Sequence, residues 1–309
     1  MSIAINIPHR NVDIFLDLLS KELPDTNIQM GPDYQEKGGV RMAVVWNQTD
    51  GFFGQFPNLE LISSFGAGVD HIVDDPGLPP HAAITRIIDE KLINSMQQYV
   101  CQHVLNYQGN WIRLYENRKR QRWDPKQIRR PMLHVGVMGL GRLGLNIAER
   151  LRDLGFKVYG YAKNAKAGIN FPTFSDSLGE MPAFLNSINV LINMLPLTQE
   201  TSDILNQDLF YAMPRGSYII NVGRGYHLVE DDLLQAIRDE QLSGATLDVF
   251  REEPLPADHP FWREERIMIT PHIASLTEQE SAARIIAENY RRLQRGNPLL
   301  HTVNKEAGY

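Results

Sequence analysis

Short apolar runs recur along the chain at Ile3–Ile7, Met42–Trp46, Leu59–Ser63, Leu133–Met138, Val158–Tyr161, Val190–Met194, Tyr218–Val222, Thr246–Val249 and Ile267–Ile269. Runs this short and this continuous read as parallel strands buried on both faces, not as strands with one wet side. Between many of them the apolar positions return at helical spacing, over Val12–Glu22, Leu145–Leu154, Leu178–Asn186, Asp203–Phe210 and Glu230–Asp239. Such alternation predicts an α/β protein of parallel sheets covered by helices on both faces. One segment breaks the rhythm. Lys91 to Arg122 reads as a single long helical stretch that stops before Trp123-Asp124-Pro125. It separates the early strands from the later ones, so two sheets in two domains are expected. The stretch Thr277–Arg295 is also helical and stops at Gly296-Asn297-Pro298. Returned to the first domain, it would make that domain discontinuous, residues 1–97 with 277–309, around a second domain of residues 98–276.

Composition narrows the classes. A chain of 309 residues can hold two domains, each with its own core. With 43% hydrophobic and 22% charged residues it is ordinary for a globular protein. A net charge of −6 argues against a general nucleic-acid binder, and Arg118-Lys119-Arg120-Gln121-Arg122 reads as the exposed end of a helix. Cys101 is the only cysteine, which excludes an internal disulfide and a multi-cysteine metal site. No apolar run reaches membrane-spanning length and no signal-peptide pattern opens the chain, so residence in the cytoplasm is expected.

The most informative motif follows the run Val135–Met138: Gly139-Leu-Gly141-Arg-Leu-Gly144, then a helix-like segment and a second strand. A bare GxGxxG is common in turns. Flanked by strand, helix and strand it becomes the unit that binds a dinucleotide pyrophosphate. Gly139 permits the turn, Gly141 leaves room for phosphate, and Gly144 lets the helix sit close to the sheet. Free N–H groups at the helix N-terminus then face the anion. In NAD-binding versions an acidic residue ends the second strand and holds the ribose 2′-hydroxyl. Here the strand ends Tyr161-Ala162-Lys163-Asn164-Ala165-Lys166, with no carboxylate. Lys163 and Lys166 can attract a 2′-phosphate and Asn164 can hydrogen-bond it, which favours NADP(H) over NAD(H). The same residues would also suit a plain solvated loop.

Three polar groups stand just beyond later strands, where ligands of open α/β sheets bind. Arg224 lies in Asn221-Val-Gly-Arg-Gly225, Glu253 follows Asp248-Val-Phe-Arg-Glu252, and His272 lies in Thr270-Pro-His-Ile-Ala-Ser275. Guanidinium, carboxylate and imidazole suffice to reduce a 2-oxo acid. Arginine can hold the substrate carboxylate and polarise the carbonyl, histidine can protonate its oxygen, and glutamate can favour the charged ring. Taken singly, each could equally be a loop residue or solvated charge. In the first domain, Ser64-Phe-Gly66-Ala-Gly-Val-Asp70 follows a strand with small residues whose N–H groups can cradle a carboxylate. Trp46, at the end of another strand, could wall a substrate pocket or pack in the core.

Gly66-Ala-Gly-Val-Asp70, Val137-Met-Gly-Leu-Gly-Arg-Leu-Gly144, Asn193-Met-Leu-Pro-Leu-Thr198, Asn221-Val-Gly-Arg-Gly225, Leu247-Asp-Val-Phe250 with Glu253-Pro-Leu-Pro256, and Pro271-His272 stand in one order. By these pieces the chain resembles the D-isomer-specific 2-hydroxyacid dehydrogenase family along nearly its full length. Val44-Val-Trp46-Asn, Met96-Gln-Gln-Tyr99 and the missing acidic residue point to its branch of glyoxylate and hydroxypyruvate reducers. The resemblance implies a Rossmann cofactor domain inserted into a flavodoxin-like substrate domain. It implies that Arg224 binds substrate and that Glu253 and His272 form the proton-donating pair. Backbone at Ala67, Gly68 and Val69 would hold the substrate carboxylate. Arg142 and Leu143 would approach the pyrophosphate, and Leu195, Pro196, Val222, Gly223 and Asp248 would line the rest of the cofactor site. A homodimer, using the long helical segment before the glycine turn, is implied too. Gln98 departs from the acidic residue many relatives carry near the hinge.

The expected function is therefore NADPH-dependent reduction of small 2-oxo acids to 2-hydroxy acids, with no metal, nucleic-acid or membrane partner. Two other functions fit the same residues: an NAD-dependent D-2-hydroxyacid dehydrogenase of another substrate, and a cofactor-sensing, corepressor-like binding protein on this fold.

Overall fold

The computed structural model describes residues 1–8, 10–31, 33–124, 132–305 and 307–308. Its chain divides into two compact units, residues 1–92 with 276–309, and residues 93–275.

Unit 1 holds β1 (Ser2–Asn6), α1 (Asp13–Glu22), β2 (Asn27–Met30), β3 (Val40–Val45), β4 (Leu61–Ser64), α2 (Asp70–Val73) and β5 (Ala83–Thr85). The five strands are parallel in the order β2-β1-β3-β4-β5, the flavodoxin-like arrangement. One face buries Ile3, Ile5, Phe15, Leu19, Met42 and Val44 against Ala282, Ile286 and Tyr290. The last three come from α9 (Gln279–Arg295), which belongs to this unit. Gln279 accepts Phe15 N–H at 2.8 Å, and Tyr290 donates its hydroxyl to Met1 O at 2.9 Å. α9 starts on a Glu278 side-chain cap and ends at Gly296, whose φ is 66°. The opposite face of the sheet buries Val45, Phe52, Phe53, Phe56 and Ile62.

The helix α3 (Glu90–Gln108) runs into unit 2, which continues with α4 (Trp111–Lys119), β6 (His134–Met138), α5 (Arg142–Asp153), β7 (Lys157–Ala162), β8 (Thr173–Ser175), α6 (Met181–Asn186), β9 (Val190–Asn193), α7 (Gln207–Ala212), β10 (Ser217–Asn221), α8 (Glu230–Arg238), β11 (Leu242–Leu247) and β12 (Ile267–Ile269). Its seven parallel strands run β12-β11-β10-β9-β6-β7-β8. The order reverses beside β6, which is the Rossmann switch point. Helices cover both faces: Ile147, Ala148 and Leu151 of α5 with Val100 and Val104 of α3 on one, Phe184, Phe210, Leu233 and Ile237 on the other.

The expected single helix from Lys91 to Arg122 is two helices, because Gly109 ends the first and Asn110 turns in the left-handed region at φ 53°. Pro125 lies outside the described residues. The helix expected over Asp203–Phe210 starts only at Gln207, where Asn206 caps it by accepting Leu209 N–H at 3.1 Å. Likewise Leu178–Asn186 resolves into a 3-10 turn at Asp176–Leu178 and α6. The strand expected at Thr246–Val249 begins earlier, at Leu242, and ends at Leu247. Strands β2, β5 and β8 were not expected. Among the described residues no helix is long and apolar enough to cross a membrane.

Candidate active site

The apolar strand β6 leads directly into the glycine turn. Gly139 has φ 107°, and a Cβ there would lie 2.7 Å from the carbonyl oxygen of Met194. A Cβ on Gly144 would lie 1.9 Å from Gly139 O, so α5 presses its first turn against the strand end. Gly141 faces open space, with nothing within 4 Å of where its Cβ would stand. It also caps α5 without any side-chain acceptor. Arg142, Leu143 and Gly144 therefore begin a helix whose first N–H groups face an unobstructed backbone surface, a fit for a pyrophosphate.

At the end of β7, Ala162 is buried while Lys163, Asn164 and Lys166 are exposed. Lys163 Nζ pairs with Glu200 Oε2 at 2.5 Å. The carboxylate of Asp176, on the neighbouring turn, accepts the Tyr161 hydroxyl at 2.8 Å. Burial, with that carboxylate beside it, raises the Tyr161 phenol well above its usual range.

Beyond β10, the Arg224 guanidinium bonds Gly223 O at 2.8 Å through Nη1. The next residue, Gly225, lies so close to Phe250 that a Cβ would stand 1.9 Å from its carbonyl carbon. Phe250 in turn donates its N–H to Glu253 Oε1 at 3.0 Å. The arginine loop and the glutamate turn are thus packed backbone to backbone. Glu253 Oε2 meets His272 Nδ1 at 2.7 Å. A carboxylate only accepts, so Nδ1 carries a proton, and Nε2 has no partner among the described residues. Burial pushes the Glu253 carboxyl up, but the hydrogen bond and charge of His272, the Phe250 N–H and the Arg224 charge together hold it below its usual range.

His272 stands at φ 54°, in the left-handed region. Asp248, fully buried beyond β11, holds it there. Its carbonyl accepts His272 N–H at 2.8 Å. Its carboxylate accepts Ile273 N–H at 2.8 Å, Ala274 N–H at 2.9 Å and the Thr270 hydroxyl at 2.7 Å. Burial raises the Asp248 carboxyl, and those three donors with the His272 charge act against the rise. Tyr99 on α3 closes the group, its hydroxyl 2.5 Å from Thr270 Oγ1.

In unit 1, the turn after β4 is fixed by Ser64, whose hydroxyl donates to Gly68 O at 2.6 Å and accepts Gly66 N–H at 3.3 Å. The N–H groups of Ala67, Gly68 and Val69 meet no acceptor among the described residues. Three such groups in succession make an anion cradle. Trp46 is buried against it, near enough that a Cβ on Gly66 would lie 2.4 Å from the indole. The Arg10 guanidinium stacks over the same indole, 4.5 Å from its centroid.

The residues picked out in unit 2 thus fall at the carboxyl ends of β6, β7, β9, β10, β11 and β12. Arg224, Glu253 and His272 are brought together; Leu195 and Pro196 follow β9, and Val222 and Gly223 follow β10. Asn193, Asn221, His227, Thr270 and Tyr99 were missed as supporting residues. Asparagine ending two adjacent apolar strands was the available signal for the first two.

A family model, described as the D-isomer specific 2-hydroxyacid dehydrogenase NAD binding domain, matches residues 90–274. A Serratia proteamaculans protein named glyoxylate/hydroxypyruvate reductase A is 36% identical over 317 residues, covering 100% of both chains. The crystal structure of a D-isomer specific 2-hydroxyacid dehydrogenase from Xanthobacter autotrophicus Py2, in complex with NADPH and MES, superposes with a TM-score of 0.92 at 32% identity, over 100% of this chain and 99% of that one. An NADPH-dependent glyoxylate/hydroxypyruvate reductase from Sinorhizobium meliloti, in complex with NADP and sulfate, gives a TM-score of 0.92 at 31% identity over 100% of each chain. On its fold, its paired strand-end residues and these likenesses, the chain belongs to the D-isomer-specific 2-hydroxyacid dehydrogenase family and is an NAD(P)-dependent oxidoreductase.

Proposed function

We propose that this protein reduces small 2-oxo acids, glyoxylate and hydroxypyruvate among them, to 2-hydroxy acids with NADPH. The observation that carries the reading is the 2.7 Å contact between His272 Nδ1 and Glu253 Oε2, which leaves Nε2 to act as proton donor. In this reading residues 98–276 hold the dinucleotide and residues 1–97 with 277–309 hold the substrate. Gly139, Gly141, Arg142, Leu143 and Gly144 take the pyrophosphate. Lys163, Asn164 and Lys166, around Ala162, take the 2′-phosphate; the lack of a carboxylate at this strand end supports NADPH over NADH. Leu195, Pro196, Val222, Gly223 and Asp248 border the nicotinamide half.

When bound, the dinucleotide would supply the hydride for the carbonyl carbon. The protein's own groups do the rest. The N–H groups of Ala67, Gly68 and Val69 take the substrate carboxylate beside Trp46. Arg224 binds the substrate and polarises its carbonyl. His272 Nε2 delivers the proton to the carbonyl oxygen, and Glu253 keeps the ring oriented and favours its charged form. The names of the Serratia and Sinorhizobium relatives support the choice of substrates.

A panel of 2-oxo acids, read by loss of NADPH absorbance, tests the proposal, with NADH, and NAD with D-lactate or 3-phosphoglycerate, as controls. Glyoxylate and hydroxypyruvate should be reduced fastest, and NADPH should outperform NADH. Failure to turn over any 2-oxo acid, or a preference for NADH, defeats it. A homodimer belongs to the same proposal, supported by the exposed apolar residues Leu105 on α3 and Trp111 and Tyr115 on α4. Light scattering should then return twice the mass of the chain.

A further inference from the structure

Asn193 at the end of β9 and Asn221 at the end of β10 are register partners in the sheet. Both are fully buried, and so is His227, three residues beyond Arg224. Their hydrogen bonds form one circuit in which the role of each atom is determined. Leu195 N–H reaches Asn193 Oδ1 at 3.2 Å, so Asn193 Nδ2 is the atom that donates onward. It meets Asn221 Oδ1 at 3.0 Å and His227 Nδ1 at 2.9 Å. Asn221 Nδ2 donates to Arg224 O at 3.1 Å, while its Oδ1 also accepts Gly223 N–H at 3.2 Å. His227 Nε2 lies 3.2 Å from Pro196 O. A carbonyl only accepts, so Nε2 carries the proton. Nδ1 is then an acceptor, for Asn193 and for Arg224 N–H at 3.1 Å.

The two edges of this ring serve two different loops. Nδ1 holds the backbone of the residue whose guanidinium the reaction uses. Nε2–H holds the loop after β9, which carries Leu195 and Pro196. We propose that His227 is a positioning residue: a single buried imidazole that locks the Arg224 loop to the Leu195-Pro196 loop and so sets the guanidinium against the hydride donor. The inference rests on the reading that Arg224 binds substrate and that Leu195 and Pro196 border the cofactor. His227 itself touches no reacting atom.

The test is a double-mutant cycle on kcat/KM for glyoxylate with NADPH, using His227→Phe, His227→Gln and Arg224→Lys. Phenylalanine keeps a planar ring, somewhat larger than imidazole, and removes both hydrogen bonds, so kcat/KM should fall roughly 30-fold. Glutamine, with one donor and one acceptor, should recover most of that loss. On the Arg224→Lys background His227→Phe should cost less than about threefold, because the group it positions has gone. Equal fold-losses on both backgrounds would mean a purely structural residue and overturn the proposal. Wild-type kcat/KM in His227→Phe overturns it as well. If the phenylalanine variant does not fold, His227→Leu, of about the same volume as histidine and without donor or acceptor, carries the same cycle: a loss on the wild-type background that vanishes beside Arg224→Lys supports the proposal, and an additive loss overturns it. Should Arg224→Lys leave kcat/KM unchanged, the substrate role of Arg224 fails and takes this inference with it. That outcome differs from a crippled Arg224→Lys beside an unaffected His227→Phe, which sinks the inference alone.

Discussion

Replacing Glu253 by Gln keeps the shape of the side chain and removes its charge. The amide oxygen can still take a hydrogen bond from His272, but no longer favours an imidazolium over a neutral ring. A shielded charge-assisted hydrogen bond contributes about 1.5–3 kcal/mol. Here the side chains of His272 and Glu253 are 32% and 36% exposed, so water screens part of the attraction. A discounted value of about 1.4 kcal/mol corresponds to about a tenfold change in rate. Glu253 has its carboxyl held below the ordinary 4.5 once His272, Phe250 and Arg224 offset its burial. What it adds to stability is therefore present above that pH and lost as pH falls through its folded value. Above about pH 5 it stays charged, holding the ring that the proposed reaction uses as acid. In Glu253→Gln kcat for glyoxylate should fall about tenfold, with KM for NADPH unchanged. Initial rates of NADPH oxidation at pH 7 measure both quantities. An unchanged kcat would refute the proton-donating pair.

Three further outcomes follow from single contacts. Gly144→Ala drives a Cβ to within 1.9 Å of Gly139 O and should weaken NADPH binding at least 30-fold by fluorescence titration, with unfolding stability lower by about 1–3 kcal/mol; unaltered affinity would contradict the pressed turn. Glu200→Gln frees Lys163 from an exposed pair and should lower KM for NADPH about two- to fivefold while leaving NADH unaffected, and equal changes for both cofactors would remove the 2′-phosphate assignment. Burial pulls the His103 imidazole down from 6.5 to about 4, so the unfolded chain binds a proton that the folded chain refuses. Stability should therefore drop by about 3 kcal/mol as pH falls from 6.5 to 4, and urea titrations of His103→Gln should lack that part of the decline.

Periodicity revealed the interior of both sheets and missed three of their margins for one reason. Strands β2 and β5 are the two edges of the first sheet, and β8 is an edge of the second. An edge strand pairs on one side only and can be short and polar. Asn27-Ile-Gln-Met30 has no buried residue, and Thr173-Phe-Ser175 is three residues long. Neither presents the apolar run that identified β3 or β10. The break at Gly109-Asn110 was hidden for a related reason: helical spacing resumes immediately in α4, and only the left-handed Asn110 shows that the two helices are separate. The strand-end rule was stronger. It placed Arg224, Glu253 and His272 after β10, β11 and β12, because a parallel sheet aligns every carboxyl end on one side whatever the loop lengths.

What lay beyond reach was the support beneath the histidine. The sequence shows a short strand, then Thr270-Pro-His, and nothing to say that the histidine must adopt φ 54°. For a residue with a Cβ that conformation costs on the order of 1 kcal/mol, so something must hold it. The holder is Asp248, 24 residues earlier in numbering, whose carbonyl and carboxylate take N–H groups from His272, Ile273 and Ala274. Thr270 and Tyr99 then fix the carboxylate from the other side. An aspartate at a strand end reads from sequence as a ligand group. Here four of its hydrogen bonds are spent on the loop, and the ring edge His272 presents to solvent follows from them. The geometry of the proposed proton donor is therefore set by a buried carboxylate on the neighbouring strand, a relation that exists only once β11 and β12 pair at Leu247 and Ile269.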